Sequence, residues 1–289
     1  VPNTALLIER AAMLLDRLET LLPPASGDPD WEADAFRWLR SGARGKLQAV
    51  AHPHRLDLED LLCLDRQVAE IMRNTRQFLA GKGANNILLW GSRGTGKSSL
   101  VKAVFNALRG QGLRLIEVDK DDLVDLPDIL DLIHGRPEQF VIFCDDLSFD
   151  AGESGYKALK AALEGSIHAP PENLLIYATS NRRHLLPEFH HDNQEARTVD
   201  GEIHQGESVE EKISLSDRFG LWISFHPFNQ EQYLRIVHHW LARLGYEERN
   251  HDDTDRAALR WALRRGSRSG RTAWQFARDW AGRSEIGSD

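Results

Sequence analysis

Only two cysteines, Cys63 and Cys144, occur in the 289 residues, so no disulfide framework can organise the chain. Cys144 closes the apolar run Phe140-Val-Ile-Phe-Cys144 and reads as a packed thiol. Basic residues are also in deficit. Lys and Arg number 36 against 44 Asp and Glu, a formal net charge of -8, so the global basic footprint of a dedicated nucleic-acid binder is missing. A long uncharged apolar run is missing too. The apolar stretch over 5–22 is interrupted by Glu9, Arg10, Asp16, Arg17 and Glu19, which excludes it as a secretory core or a membrane span. A cytoplasmic protein without a membrane partner is expected. What is present is ordinary globular composition, 41% hydrophobic and 28% charged, in a length that suits about two domains of ~100–200 residues.

Within 5–22 the residues Leu7, Ala11, Leu14, Leu18 and Leu22 recur at helical spacing until Pro23-Pro24 stops them, which predicts an amphipathic helix. Trp31, Phe36, Trp38 and Leu39 suggest a second, short helix. From Leu58 onward five apolar runs read as strands: Asn86–Trp90, Leu113–Val118, Phe140–Cys144, Leu174–Thr179 and Leu221–Phe225. Helical patterns separate them, notably Ser98–Leu108 and Gly155–Leu163. Continuous rather than alternating apolar runs predict strands buried on both faces, as in a parallel sheet covered by helices. Beyond Asn229 the pattern is helical only, with one stripe through Tyr233, Val237, Trp240, Leu241 and Leu244 and further helices at Asp255–Arg264 and Gly270–Ala281.

Chemistry concentrates at the ends of the strands. The first is followed by Gly91-Ser92-Arg93-Gly94-Thr95-Gly96-Lys97-Ser98-Ser99 and then a helical pattern, which is the phosphate-binding loop in its strand–loop–helix context. Its glycines let the backbone wrap a phosphate chain, N–H groups and the helix N-terminus face the negative charge, Lys97 reaches the β- and γ-phosphates, and Ser98 suits Mg²⁺. The third run delivers Asp145 and Asp146 to the carboxyl edge, where open α/β sheets bind ligands. Asp145 suits the metal side and Asp146 the attacking water. The fourth ends at Asn181, whose amide can reach a γ-phosphate or that water, although an Asn after a strand is more often a turn former.

Walker A at Gly91–Ser99, Walker B at Val141–Asp146, sensor 1 at Asn181, the arginine-finger box Leu215-Ser-Asp-Arg218-Phe-Gly220 and sensor 2 at Ser269-Gly270-Arg271 together resemble the AAA+ ATPases in order and spacing. The resemblance covers roughly residues 53–289. The segments Cys144–Asp150, Asn181–His184 and Glu210–Arg218 are similar to a bacterial group of single-module AAA+ proteins grouped as a domain of unknown function. It implies a five-stranded parallel α/β domain over 53–227 and a helical lid over 228–289, while the apolar spacing ahead of it predicts an N-terminal helical region over 1–52. It also implies ATP and Mg²⁺ as cofactors, and a homo-oligomeric ring or spiral in which Arg218 acts on the next subunit's γ-phosphate while Arg271 acts in its own. A finger of this kind is worth about 10³–10⁵ in rate.

Two departures stand out. Family members commonly end Walker B in Asp-Glu, whereas Asp145-Asp146 is one methylene shorter, so slow hydrolysis is expected. On the adenine side Cys63 replaces the family's usual glycine, leaving Leu62 and its backbone as the adenine contact. Other signals read as structural. His190, His191 and His204 have no zinc spacing and fit a solvated loop over 188–208, while Trp240, Trp261, Trp274 and Trp280 fit a helical core. Arg264, Arg265, Arg268 and Arg271 serve nucleotide phosphates as readily as nucleic acid, which is not the favoured partner. Where many AAA+ unfoldases carry an aromatic pore loop, this chain has Asp119-Lys-Asp-Asp-Leu-Val-Asp-Leu-Pro127.

The leading expectation is therefore a Mg²⁺-dependent ATPase that remodels or loads a protein client. Its alternatives are a nucleotide-gated scaffold with negligible turnover and, last, a P-loop kinase of a small substrate.

Overall fold

A computed structural model describes residues 28–41, 44–149, 153–164, 171–183, 185, 197–199, 202–204, 215–246 and 251–286, together with the isolated positions 8, 10 and 13. Its centre is a seven-stranded sheet. The strands are β1 (Ala35–Ser41), β2 (Arg44–Ala49), β3 (Ile87–Gly91), β4 (Leu113–Glu117), β5 (Gln139–Cys144), β6 (Leu174–Ser180) and β9 (Leu221–Phe225), in the order β2-β1-β4-β5-β6-β3-β9. All neighbours run parallel except β1 and β2.

Five of these strands lie where the apolar runs predict them, and the alternation of side chains shows why the runs are continuous. Ile87, Leu89, Val141 and Phe143 face one core with α1 (Asp65–Leu79) and α2 (Lys97–Leu108). Leu88, Phe140, Ile142 and Cys144 face the other with α3 (Leu126–Ile133) and α4 (Ser154–Glu164). Because both faces are covered, apolar residues follow one another along β3 and β5 instead of alternating with polar ones. Cys144 is buried there, and both cysteines are free.

The other two strands correct the sequence reading. Trp31, Phe36, Trp38 and Leu39 do not mark a helix: Ala35–Ser41 and Arg44–Ala49 pair as antiparallel strands, the first of which pairs in parallel with β4, extending the sheet from five strands to seven. The period is two, with Phe36 and Trp38 buried and Arg37 exposed between them. The strand pair grips the segment after β4, a 3-10 stretch over Lys120–Asp125. Trp38 Nε1 donates to Asp125 Oδ2 at 3.0 Å, and Arg37 pairs with Asp119 at 2.7 Å.

The amphipathic helix expected over 5–22 lies outside the described residues except for Ile8, Arg10 and Met13, which are helical. Most of the 188–208 stretch lies outside them too. Within it, Arg197–Val199 (β7) and Glu202–His204 (β8) pair as a small antiparallel ribbon rather than a plain loop.

After β9 come α5 (Gln230–Arg243), α6 (His251–Arg265) and α7 (Gly270–Ile286). The first starts with a capping box. Asn229 Oδ1 accepts from the Gln232 N–H at 2.8 Å, and Gln232 Oε1 accepts from the Asn229 N–H at 3.0 Å. Tyr233, Val237, Ala273 and Phe276 join these helices to the α1–α2 side of the core. Among the described residues no helix is long and apolar enough to cross a membrane.

Candidate nucleotide site

The carboxyl edge of β3, β5 and β6 opens on a cavity of ≈ 800 Å³ bounded on its far side by α5 and α7. One end is built by the loop between β3 and α2. Gly91 has φ 132° and lies so close to β9 that a Cβ would stand 2.0 Å from the Phe225 carbonyl oxygen, so only glycine lets the loop leave the sheet here. Gly94 has φ 74°, and its carbonyl accepts from the Arg271 N–H at 3.2 Å, docking the start of α7 on the loop.

Lys97 is buried, and its ammonium donates to Gly91 O and Ser92 O, both at 2.8 Å, and to Asn181 Oδ1 at 3.1 Å. Desolvation lowers its pKa, outweighing the attraction of Asp146 and Asp145. A phosphate in this place would replace neutral acceptors by an anionic one, which forms a stronger bond and restores the cation's counter-charge.

Beside it stand the carboxylates. Asp145 Oδ1 accepts from Ser98 Oγ at 2.6 Å and from Thr179 Oγ1 at 2.5 Å. Thr179 Oγ1 in turn accepts from the Asp146 N–H at 2.9 Å, and the Asn181 side-chain amide donates to Asp146 Oδ1. Asp146 has φ 51°, a left-handed conformation that Asp adopts more readily than most residues. Asn181 therefore bridges Lys97 and Asp146. Ser98 and Asp145 form a small, hard oxygen pair of the kind that Mg²⁺ accepts while keeping water and phosphate ligands. Among the described residues no group of three or more His, Cys, Asp or Glu makes a protein-only metal cage.

The other end of the cavity is apolar. Leu61 and Leu62 line it together with Ile236 and Trp240 of α5 and Trp274 of α7. Trp240 packs against the core, as its helical spacing predicts, and Trp274, also read as core, stands beside it at the cavity. Their rings meet edge to face at 4.6 Å, and both line the cavity. Trp261 and Trp280 do pack inward, against Phe276. Cys63 adopts the left-handed conformation (φ 62°), the region that glycine enters most readily. Burial alone would raise the Asp60 carboxyl, but hydrogen bonds from Arg243 and His239 outweigh it and hold the group below the usual carboxylate range.

Of the two arginines singled out, Arg271 lines the cavity and Arg218 does not. Arg218 pairs with Glu164 at the end of α4. Sequence reasoning missed Thr179, Asp60, Trp240 and Trp274. Thr179 was detectable only through the parallel pairing of Cys144 with Ala178, which sets the following residues, Asp145 and Thr179, side by side.

The family described as protein of unknown function DUF815 matches residues 31–284. The chain belongs to that family. No curated protein matches it. Among solved structures it is similar to the Thermotoga maritima RuvB Holliday junction branch migration motor, with TM-score 0.50 and 14% identity over 77% of this chain and 63% of that one. It is also similar to the AAA domain of FIGL-1 in complex with ADP, with TM-score 0.50 and 18% identity over 82% of this chain and 76% of that one. The chain thus spans less than two thirds of the RuvB chain it matches, and what the two likenesses show is a shared fold, that of the AAA domain.

Proposed function

We propose that this member of the DUF815 family is a Mg²⁺-dependent ATPase whose active site is completed by a neighbouring copy. The observation that carries the reading is the convergence on one cavity of Lys97, Ser98 with Asp145, Asp146 with Asn181, and Arg271, from four separate parts of the chain. The triphosphate would lie along Gly91–Ser99 and the base between Leu62 and Trp240. Mg²⁺ held at Ser98 and Asp145 would offset the charge that develops on the phosphates.

Asp146 would accept a proton from the attacking water. Asn181, reaching both Asp146 and Lys97, would align that water's base with the phosphate end, and Arg271 would add positive charge from α7. Arg218, outside this cavity, would serve the γ-phosphate of the adjacent subunit in a ring or spiral. The segment Asp119–Pro127 carries no aromatic residue to grip a threaded chain, which favours remodelling or loading of a protein client.

The second reading, a nucleotide-gated scaffold, draws support from the short side chain of Asp146 and its engagement by Asn181. Phosphate release measured at several protein concentrations separates the two. A shared site predicts specific activity that rises with concentration and vanishes with EDTA. Flat specific activity contradicts a shared site, and ATP binding without phosphate release selects the scaffold.

A further inference from the structure

Asp60 ends the 3-10 turn Leu58–Asp60, immediately before Leu61 and Leu62 on the cavity wall. Its side chain is only 8% exposed. One oxygen accepts from Arg243 Nε at 2.8 Å and bonds His239 Nε2 at 2.9 Å, and the other accepts from Arg243 Nη2 at 3.1 Å. Arg243 also reaches Asp57 at 3.2 Å, so its fork straddles the turn. Both partners stand on α5, the helix that carries Ile236 and Trp240 to the opposite wall. The His239 ring also packs against Trp240 at 5.2 Å, and Trp240 against Trp274 at 4.6 Å. A chain of contacts therefore runs from Asp60 through His239 to the aromatic wall. Three residues beyond Asp60, Cys63 is held left-handed, a conformation that a side-chain-bearing residue keeps only where its surroundings over-determine the backbone.

We infer that Asp60 is a positioning residue for the base end of the site: with Arg243 and His239 it clamps the Leu58–Cys63 segment to α5 and sets the gap between Leu61 and Leu62 on one side and Trp240 on the other. The inference rests on the nucleotide reading above and adds to it a division of labour. The phosphate end is assembled by β3, β5 and β6, whereas Asp60 bonds to Arg243 and His239 of α5, so that the base end depends on two separate segments being held together. Pre-setting that gap removes an ordering cost that binding would otherwise bear.

The division predicts that two ligands respond differently to loss of the clamp. ATP uses both ends. Inorganic tripolyphosphate, which has no base or ribose, uses only the phosphate end. Affinities for both, in the presence of Mg²⁺, are to be measured by titration calorimetry on the full chain, with competition showing that they share Lys97's site. Asp60→Ala is expected to weaken ATP binding by about tenfold or more while tripolyphosphate stays within roughly twofold of wild type, and Asp60→Asn, which keeps an acceptor for Arg243, should fall between.

Tripolyphosphate affinity doubles as the control for folding. If burial makes Asp60→Ala lose both ligands, the decision passes to Arg243→Gln, whose side chain is half exposed and which is expected to show the same selective loss of ATP. Unchanged ATP affinity in either variant, or parallel loss of both ligands in Arg243→Gln, overturns the clamp while leaving the nucleotide site in place. A wild-type chain that binds neither ligand overturns the nucleotide reading itself, and the clamp with it.

Discussion

Lys97→Ala is expected to raise the Kd for MgATP by about 30- to 1,000-fold, the equivalent of about 2–4 kcal/mol for losing charge-assisted bonds to the phosphates. The size follows from the position of the ammonium. It is buried at the point where the loop, Asn181 and both carboxylates meet, and no other buried cation of the described residues lines that end of the cavity. The substitution also leaves the Gly91 and Ser92 carbonyls without this donor, so thermal melting must accompany the titration. A folded variant with wild-type affinity would remove Lys97 and its loop from the nucleotide site.

Arg218→Ala should bind ATP almost normally and lose turnover by about 10³-fold or more, because a charge brought by a neighbour acts chiefly on the transition state. Asp146→Asn should likewise bind and fail to turn over, since the amide keeps the shape and cannot take the proton. Mixed together, the two inactive proteins are expected to recover part of the activity. An interface that joins the Asp146 of one subunit to the Arg218 of the other is then complete. The Glu164–Arg218 ion pair makes the contrast sharp: if Arg218 only braces α4, Arg218→Ala costs stability, and mixing restores nothing. Mixed assembly is to be confirmed by co-purifying differently tagged variants. Confirmed mixed oligomers without recovered activity would contradict the shared site.

The parts of the site legible in the sequence are those in which neighbouring residues do one job. Gly91–Ser99 is a contiguous loop with its own backbone requirements, and Asp145-Asp146 announces itself as charge ending an apolar run. Asn181 and Arg271 acquire meaning only beside that loop, through the order of motifs. Thr179, Asp60, Trp240 and Trp274 could not be read in this way, because each owes its place to a partner far along the chain. Thr179 needs the adjacency of β5 and β6, and Asp60 needs Arg243, 183 residues away. Trp240 and Trp274 satisfy a helical core pattern as well as a cavity wall, and only the cavity they share with Leu61 and Leu62 reveals the second role.

In the fold, the five parallel strands were legible because burial on both faces leaves an uninterrupted apolar signature. The β1–β2 pair was not, since Trp31, Phe36, Trp38 and Leu39 also fit a helical spacing. What distinguishes them is the outward Arg37 between Phe36 and Trp38, a period of two over very few residues.

The central claim, that this cavity holds a nucleoside triphosphate across its two unlike ends, is tested most directly by a crystal structure with Mg²⁺ and a non-hydrolysable ATP analogue. The account predicts the phosphates against the backbone N–H groups of Gly94–Lys97, a cation at Ser98 and Asp145, and the adenine between Leu62 and Trp240. An analogue bound elsewhere, or a cavity that stays without nucleotide at saturating concentration, would contradict it.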